Sequence, residues 1–374
     1  MNKWPSLRIG WVMRRNRVFS NPRFQYWAAR LPLIRRIARG RANAAFDLLA
    51  GFAYAQVLYA CVEGGLFAVL KDGPVSAAGV AQRMALSEAA ALTLLRSARA
   101  LNLTQEPVPD HWMLAGQGAI FAANPGVQEM VRHHRLLYAD LADPIALLRA
   151  DRREPTALSQ FWTYAGALHG ASERGEQTTE YSRLMAASQH FVADEVCAAV
   201  SFKRVKRLLD VGGGHGAFLT AIDAIYPHLE LGLFDLPEVV ATGAPIVAAA
   251  VGEARITVHP GNFFNDSIPQ GYDMVSLIRI LHDHDDAPAQ ALLANIRASM
   301  PPGARLLIAE PMAQIPGAEP MGEAFFGLYL WAMGSGRPRS PAEIIAMLRA
   351  AGFSSARSVA TAQPVNASVI IAQA

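Results

Sequence analysis

The feature of this sequence that most restricts its fold is a glycine run directly after an apolar segment, at Leu208-Leu-Asp-Val-Gly-Gly-Gly-His-Gly216. A strand that ends in such glycines and opens into a helix brings the backbone close to a nucleotide-like ligand. Asp235 ends the next apolar segment, about 20 residues later, where an acid holds the ribose hydroxyls of a nucleotide. The run therefore predicts a nucleotide-binding domain with Gly212, Gly214 and Asp235 at the ligand.

The surrounding region alternates apolar segments with alanine-rich segments. The apolar segments are Leu208–Val211, Leu231–Phe234, Met274–Ile280 and Leu306–Ala309. This alternation is typical of a parallel sheet with crossover helices, so the predicted fold class is α/β. Near the end, a strand around Ser358 is followed by Ala367–Ala372 with no helix between them, which predicts a terminal antiparallel strand.

The glycine run and Asp235 fit two cofactor classes, nicotinamide dinucleotides and S-adenosylmethionine. Asp210 lies just before the glycines, where a carboxylate attracts the amino group of a cationic cofactor and repels a pyrophosphate. The chain also has no Tyr-x-x-x-Lys pattern, so a common hydride-transfer pair is missing. Both observations favour S-adenosylmethionine.

Polar side chains cluster where the third predicted strand ends, at Leu281-His-Asp-His-Asp-Asp286. Ligands of open α/β sheets bind at the carboxyl ends of the strands, so this cluster should face the reactive end of the cofactor. His282 is the predicted general base, since an imidazole with a pKa of about 6.5 accepts a proton near neutral pH. Glu310 ends the following strand and is predicted to hold the other nitrogen of that ring.

The three aspartates of this cluster have two further interpretations. The favoured one is that Asp283, Asp285 and Asp286 cap a helix that begins near Ala287. The other is a site for a hard cation, which is disfavoured because the cluster lacks a preformed ligand spacing. No metal is therefore expected.

The first third of the chain predicts a different kind of domain. Helix patterns and a hairpin pattern lie at 42–70, 77–84, 87–101 and 103–114. Two short helices followed by a hairpin are typical of a winged helix, whose second helix usually enters a DNA groove. Here that helix has only Arg96 and Arg99 as cations, so it is predicted to contact protein. A DNA-binding regulator stays as the alternative from a different functional class.

The N-terminus is strongly basic. Residues 1–46 carry eleven of the 34 basic residues and no acid, which leaves 23 basic and 31 acidic residues in the rest of the chain. Three of the six tryptophans, Trp4, Trp11 and Trp27, lie in the same stretch. Arginines interleaved with aromatic rings suit an anionic surface, either a membrane or a nucleic acid. An arm that wraps around a partner subunit is the other interpretation.

Cysteine usage and hydropathy indicate the compartment. Two cysteines are too few for a disulfide framework. The longest apolar stretch, Leu48–Val62, is shorter than the roughly 20 residues needed to cross a bilayer and contains Gly51 and Gln56. Arginines stand where the apolar region of a signal peptide would lie. The expected location is cytoplasmic, either soluble or peripheral.

Several motifs resemble, in order, those of the plant-type S-adenosylmethionine-dependent O-methyltransferases. They read Leu209-Asp-Val-Gly-Gly-Gly-His-Gly, Phe234-Asp-Leu-Pro-Glu-Val-Val, Gly261-Asn-Phe-Phe, Ile280-Leu-His-Asp-His-Asp-Asp and Leu306-Leu-Ile-Ala-Glu-Pro. The resemblance implies an α-rich winged-helix dimerisation domain before a Rossmann-like class I methyltransferase domain, in a homodimer. It also implies that His282 is the base, Glu310 one of two acids beside it, Asp235 the ribose acid and Gly212 the glycine at the methionine end.

Three positions depart from the family pattern. Asn262 replaces an adenine-contacting aspartate, which keeps a hydrogen bond and loses the charge. His284 replaces a tryptophan beside the cofactor, and Pro338 occupies the place of the second acid. Phe263 follows Asn262 in its motif and is assigned to the cofactor too, and Arg279 is predicted to contact the cofactor carboxylate.

Pattern and resemblance together divide the chain into four parts. These are a basic aromatic arm at 1–41, a winged-helix-like dimerisation domain at 42–125, linker and substrate-pocket helices at 126–202, and the methyltransferase domain at 203–374. The apolar stretch Phe325–Met333 is predicted to be either a pocket wall or ordinary core.

The arm is additional to the plant-type pattern. Its segment Arg14–Trp27 and the stretch Asp47-Leu-Leu-Ala-Gly-Phe resemble the carotenoid 1-hydroxyl methyltransferases of purple phototrophic bacteria. The resemblance implies methylation of the tertiary 1-hydroxyl of an acyclic carotenoid. Because a carotenoid lies in the bilayer, the enzyme is expected to contact an anionic surface peripherally, such as the intracytoplasmic photosynthetic membrane. The few cations of the second winged-helix helix argue against nucleic acid as a partner. Alternatives are a bacteriochlorophyll-pathway C-methyltransferase and a phenol or polyketide O-methyltransferase.

Overall fold

The structure is a computed structural model that describes residues 4–162, 189 and 191–374, and the side chains of residues 7 onward within those ranges. It divides into two compact units, Met1–Ala123 and Asn124–Ala374. The division lies close to the predicted boundary at residue 125, whereas residues 202 and 203 fall within the second unit. The predicted pocket helices at 163–188 and residue 190 lie outside the described residues.

The first unit is mainly helical. Its elements are α1 (Trp4–Phe19), α2 (Pro22–Ala28), α3 (Arg35–Glu63), α4 (Leu66–Leu70), α5 (Ala77–Arg83), α6 (Glu88–Ala100), β1 (Thr104–Val108), β2 (His111–Leu114) and α7 (Gly116–Ala123). The hydroxyl of Ser87 accepts from the Ala90 N–H and caps α6 as predicted, and β1 pairs antiparallel with β2. The order helix, helix, hairpin follows the sequence pattern, and the winged-helix assignment stays a prediction.

Helix α3 differs most from the sequence-based expectation. It begins at Arg35, so the predicted boundary between residues 41 and 42 falls inside one continuous helix. It also continues through Gly51 and Gln56, and by length and composition alone it could cross a membrane, contrary to the expectation from Leu48–Val62. Only 11% of its most apolar stretch is buried within the chain. Core helices of soluble proteins and signal sequences meet the same length and composition criteria.

The second unit contains a seven-stranded sheet. Its helices are α8 (Pro125–Asp140), α9 (Pro144–Arg149), α10 (Ala157–Phe161), α11 (191–199), α12 (Ala217–Ile225), α13 (Pro237–Val251), α14 (Asp286–Ser299), α15 (Phe326–Met333) and α16 (Pro341–Ala350). Its strands are β3 (Arg207–Val211), β4 (Glu230–Asp235), β5 (Ile256–Pro260), β6 (Met274–Ile278), β7 (Arg305–Glu310), β8 (Ser355–Val359) and β9 (Ser368–Gln373). The strand order is β5-β4-β3-β6-β7-β9-β8.

The sheet confirms the predicted α/β architecture. Strands β3 to β7 pair in parallel, and β9 runs antiparallel to both β7 and β8, as predicted for the C-terminus. Because successive residues of a strand point to opposite faces, Leu208 and Leu209 enter two separate cores. The strand order reverses between β3 and β6, and the carboxyl ends of strands at such a switch point form a ligand-binding crevice.

Candidate active site

A cavity of about 220 Å³ lies at the carboxyl ends of β3, β4 and β6. Seven of the eight predicted site residues line it: Gly212, Gly214, Asp235, Asn262, Phe263, Arg279 and His282. The eighth, Glu310, is buried at the end of β7 and contacts the backbone of His282. The structure therefore brings the predicted residues together.

The glycine turn admits no side chains where it meets the cavity. Gly212 has a φ of 72°, and a Cβ there would lie 2.6 Å from the Cδ1 of Ile280. A Cβ on Gly213 would lie 2.5 Å from the Cδ1 of Leu233. Gly214 has a φ of 59°, a backbone conformation that L-residues rarely adopt. The bare backbone of this turn therefore faces the cavity.

Asp235 is held by that turn. Its Oδ2 accepts from the Gly214 N–H at 2.7 Å, and its Oδ1 accepts from the Leu236 N–H at 2.7 Å. Each carboxylate oxygen keeps a further lone pair, which a ribose hydroxyl could use. Burial raises the pKa of Asp235 to about 6, and the two backbone hydrogen bonds oppose that rise.

Asp210 does not have the position predicted from sequence. It is buried, accepts from the Ser276 hydroxyl at 2.6 Å, and is absent from the described cavity lining. Burial raises its pKa to about 7. The Asp210 carboxylate therefore links β3 to β6 through the Ser276 hydroxyl and does not face the cavity.

Asn262 and His284, two of the departures from the family pattern, both line the cavity. The side-chain oxygen of Asn262 accepts from the Phe264 N–H at 2.9 Å, which fixes the turn that carries Phe263. The ring of His284 packs edge-on against Phe263 and Phe264, with centroids 5.7 and 4.9 Å away. Burial lowers the pKa of His284, so a neutral imidazole provides a ring contact where the family has an indole.

The predicted base lies in a short turn after β6. Arg279 begins the turn in a left-handed conformation, with a φ of 58°. His282 is buried, and its Nε2 lies 3.1 Å from Asp283 Oδ1. Its Nδ1 and the Glu310 Oε1 are buried and have no hydrogen-bond partner within the part of the chain that the structure describes.

Two sequence-based assignments in this turn need correction. Glu310 was predicted to hold the imidazole, but its Oε2 accepts from the backbone N–H of His282 at 3.1 Å. Asp283 was predicted to cap a helix, but its carboxylate pairs with the imidazole, and Asp285 accepts from Gly336 and Arg152. Asp283 does not cap α14 because it belongs to the preceding turn, Leu281–Asp283, whereas α14 begins only at Asp286. Its carboxylate lies beside the His282 ring.

The charges around His282 suit its role as a base. Burial lowers the pKa of His282, but the nearby Asp283 and Glu310 carboxylates outweigh burial, so the pKa lies above its usual value. The pKa of Glu310 is raised by burial and pulled down by His282 and Arg339. A base whose pKa is close to the working pH can both accept and release a proton.

One wall of the cavity is apolar and rigid, as the sequence allowed for Phe325–Met333. The members of this wall are Trp162, Phe326, Tyr329, Leu330 and Met333. The Trp162 indole N–H donates to the Tyr329 hydroxyl at 2.9 Å, and His133 Nε2 lies 2.8 Å from the same oxygen. Burial lowers the pKa of His133 to about 4, so this imidazole is uncharged near neutral pH.

The cavity has features that S-adenosylmethionine requires of its binding site. The side-chain-free turn leaves room for a close ligand, the Asp235 carboxylate lines the cavity, and Asn262 and Phe263 provide polar and aromatic surface. These residues fit the cofactor. Among the described residues, no group of three or more His, Cys, Asp or Glu side chains is placed to hold a metal ion.

Comparisons with known proteins agree with this geometry. The O-methyltransferase domain family matches residues 138–354. The demethylspheroidene O-methyltransferase of Cereibacter sphaeroides is 42% identical over 359 residues, covering 95% of this chain and 93% of that protein. The enzyme of the same name from Rhodobacter capsulatus is 42% identical over 347 residues, covering 92% and 85%.

A solved structure shares the fold. Human N-acetylserotonin methyltransferase superimposes with a TM-score of 0.74 at 24% identity, covering 89% of this chain and 97% of that one. The family match spans more than half of the chain, and the two relatives cover nearly all of it. The chain therefore belongs to the O-methyltransferase family, and its methyl donor is S-adenosylmethionine.

Proposed function

We propose that this enzyme methylates the tertiary 1-hydroxyl of an acyclic carotenoid, with His282 as the general base. The observation that carries the proposal is that the buried His282 imidazole shares its cavity with the apolar wall formed by Trp162, Phe326, Tyr329, Leu330 and Met333. The similarity to two demethylspheroidene O-methyltransferases supports the substrate class.

The chemistry follows from the residues around His282. When bound, S-adenosylmethionine supplies an electrophilic methyl group. A tertiary alcohol is weakly acidic, so the His282 imidazole takes the hydroxyl proton as the new carbon–oxygen bond forms and the bond between the methyl group and sulfur breaks, which leaves a neutral thioether. Asp283 and Glu310 then stabilise the imidazolium. The apolar wall excludes water and strengthens these interactions, and the rate depends on alignment of the reacting atoms to about 3–3.5 Å.

The decisive experiment combines purified enzyme, isotopically labelled S-adenosylmethionine and a 1-hydroxylated acyclic carotenoid. The expected product is heavier by one labelled methylene unit and contains a methyl ether. The same enzyme is offered a simple phenol and a bacteriochlorophyll precursor in parallel. Methylation of either of these without methylation of the carotenoid would refute the proposed substrate and favour the corresponding alternative.

Helix α3 supports a homodimer. Leu48, Leu49 and Phe52 are 88%, 71% and 77% exposed, which is unusual for adjacent large apolar side chains on one helix. A second copy of the chain would bury them, and a self-complementary apolar face of this kind is typical of twofold dimers. We therefore extend the proposal to a homodimer that uses this face of α3.

The arm supports contact with a membrane surface. Trp11 and Trp27 are 63% and 60% exposed, and the Arg15 guanidinium lies over the Trp11 ring at 5.4 Å. Exposed indoles beside arginines suit the boundary between lipid headgroups and acyl chains, where an acyclic carotenoid is accessible. The proposed location is cytoplasmic, with peripheral contact on an intracytoplasmic photosynthetic membrane.

A further inference from the structure

The turn that carries His282 is held by a segment more than fifty residues later in the chain. Four successive carbonyl groups, those of residues 281–284, each accept a hydrogen bond from residues 335–339. The donors are Arg339 Nη1 to Leu281 at 2.9 Å, the Arg337 N–H to His282 at 2.9 Å, the Ser335 hydroxyl to Asp283 at 2.8 Å, and Arg339 Nη2 to His284 at 2.7 Å. The orientation of every peptide plane in the turn is therefore set by this segment.

Arg339 makes two of these four contacts, and it is completely buried. Its charge is balanced by Asp286, whose Oδ1 lies 2.8 Å from Nη2 and 3.1 Å from Nε. A buried guanidinium is unfavourable unless its donors are satisfied, and here three of its nitrogens have acceptors in the range 281–286. The burial of this cation is thus explained by the turn that it holds.

The segment also leaves no room for an alternative path of the turn. A Cβ at Gly336 would collide with the carbonyl oxygen of His282, and Gly336 has a φ of 76°. On the other side of the turn, Glu310 accepts from the His282 N–H. Both backbone polar groups of His282 are therefore held, which fixes the direction in which its side chain leaves the turn.

We propose that Arg339 is a positioning residue for methyl transfer, which fixes the peptides of residues 281–284 so that the His282 imidazole faces the cavity. The proposal rests on His282 being the base of the proposed reaction. Arg339 lies next to Pro338, the position where the family pattern has a second acid. That acid would contact the imidazole ring of the base, whereas Arg339 contacts the backbone of the turn that carries the base. Its planar fork reaches two carbonyls and a carboxylate at once, which a lysine ammonium cannot reproduce.

The test compares Arg339→Met and Arg339→Lys with a matched control, Arg297→Met. Arg297 also donates to two carbonyls, those of Gly352 and Met300, but away from the turn. Arg339→Met is expected to lower kcat about 10²-fold, the usual effect of a misplacement of about 1 Å, with the Kd of S-adenosylmethionine unchanged. Arg339→Lys, which keeps the charge, is expected to lose less, and Arg297→Met to keep kcat at a lower Tm.

Amide hydrogen exchange gives a second readout that needs no substrate. Exchange of the amides of residues 282–284 is expected to accelerate in Arg339→Met and Arg339→Lys and to stay unchanged in Arg297→Met. If Arg339→Met does not fold, Arg339→Lys decides the matter by the same two measurements. Full kcat with unchanged exchange in either folded variant would overturn the proposal, as would an equal loss of kcat in Arg297→Met. A wild-type enzyme that does not methylate the carotenoid refutes the proposed function, and the exchange result still tests Arg339.

Discussion

Glu310 accepts a hydrogen bond from the backbone N–H of His282 at 3.1 Å, so this carboxylate holds the peptide of the base and leaves its ring to Asp283. Two carboxylates thus flank one imidazole in different ways. Asp283 provides a direct ionic partner, and Glu310 combines a structural hydrogen bond with a buried negative charge. The roles predict different consequences when each group is altered.

Replacement of His282 by alanine should abolish turnover, because the group that takes the hydroxyl proton is removed. The affinity for S-adenosylmethionine should change by less than about 1 kcal/mol, since the imidazole acts mainly in the transition state. Single-turnover kinetics and calorimetric titration measure the two quantities. Normal turnover in His282→Ala would show that another group is the base.

Asp283→Asn should shift the pH dependence of kcat. The carboxylate raises the pKa of His282, so its loss lowers that pKa, and the acid limb of the kcat profile moves to lower pH. The plateau should also fall, by less than the roughly 10²–10⁴-fold that general base catalysis contributes, since the imidazolium loses a partner. Glu310→Gln is the comparison, because its amide oxygen can still accept from the His282 N–H. An acid limb that moves to higher pH in Asp283→Asn would contradict this account.

Asp235→Ala should weaken cofactor binding. Hydrogen bonds to a charged group contribute about 1.5–3 kcal/mol, so the Kd of S-adenosylmethionine should rise about 10- to 100-fold. Because burial raises the pKa of Asp235 to about 6, wild-type affinity should decline as the pH falls through that value, and the variant should lack this dependence. Calorimetry over a pH series measures both. Asp223→Ala is the control, since Asp223 pairs with Arg255 outside the cavity lining, and an equal loss there would argue against a ribose role.

Deletion of residues 1–34 should reduce binding to anionic liposomes while leaving α3 intact, since that helix begins at Arg35. The removed segment carries many of the N-terminal arginines, and each basic residue near an anionic surface contributes about 1 kcal/mol. Flotation with anionic and neutral vesicles at two salt concentrations measures the effect. A shortened enzyme that floats as well as the full chain would rule out the arm as the membrane contact.

Leu48→Glu combined with Phe52→Glu should convert the proposed dimer into a monomer. The two side chains are one helical turn apart and highly exposed, so paired carboxylates would be buried in an interface between copies. Light scattering of the wild type and the variant gives the mass. The control is Ile246→Glu, an exposed apolar residue of α13 in the second unit. A wild type of monomer mass, or a variant that keeps the dimer mass, would exclude this face.

The sheet and the glycine turn were predictable because their causes are local. Apolar runs such as Met274–Ile278 are buried on both faces of a parallel sheet, and the strained φ values at Gly212 and Gly214 demand glycine. The position of Asp235 at the cavity was predictable because one helix connects β3 to β4, which places the end of β4 about 20 residues after the glycines. Such signals are contained in a few dozen residues.

Other features depend on contacts that the sequence does not reveal. Arginine is a good helix former, so α3 passes through a change in composition that suggested a boundary at residue 41. The pairing of Asp283 with the ring depends on the left-handed conformation of Arg279 and the turn after it. The contact of Arg339 with Leu281 could not be predicted because it joins residues 58 positions apart in the chain. The local sequence shows only that two arginines flank Pro338.

The shared hydroxyl of Tyr329 has a consequence for any change in the acceptor range of this enzyme. Trp162 donates to that hydroxyl and His133 Nε2 lies 2.8 Å from it, so Tyr329→Phe takes a hydrogen-bond partner from both side chains, whereas Trp162→Phe leaves the phenol beside His133. Replacement of Tyr329 therefore reshapes the cavity only with a loss of stability, whereas replacement of Trp162 alone is expected to cost less. Libraries that aim at bulkier acceptors should therefore vary Trp162 first, and vary Tyr329 only together with His133.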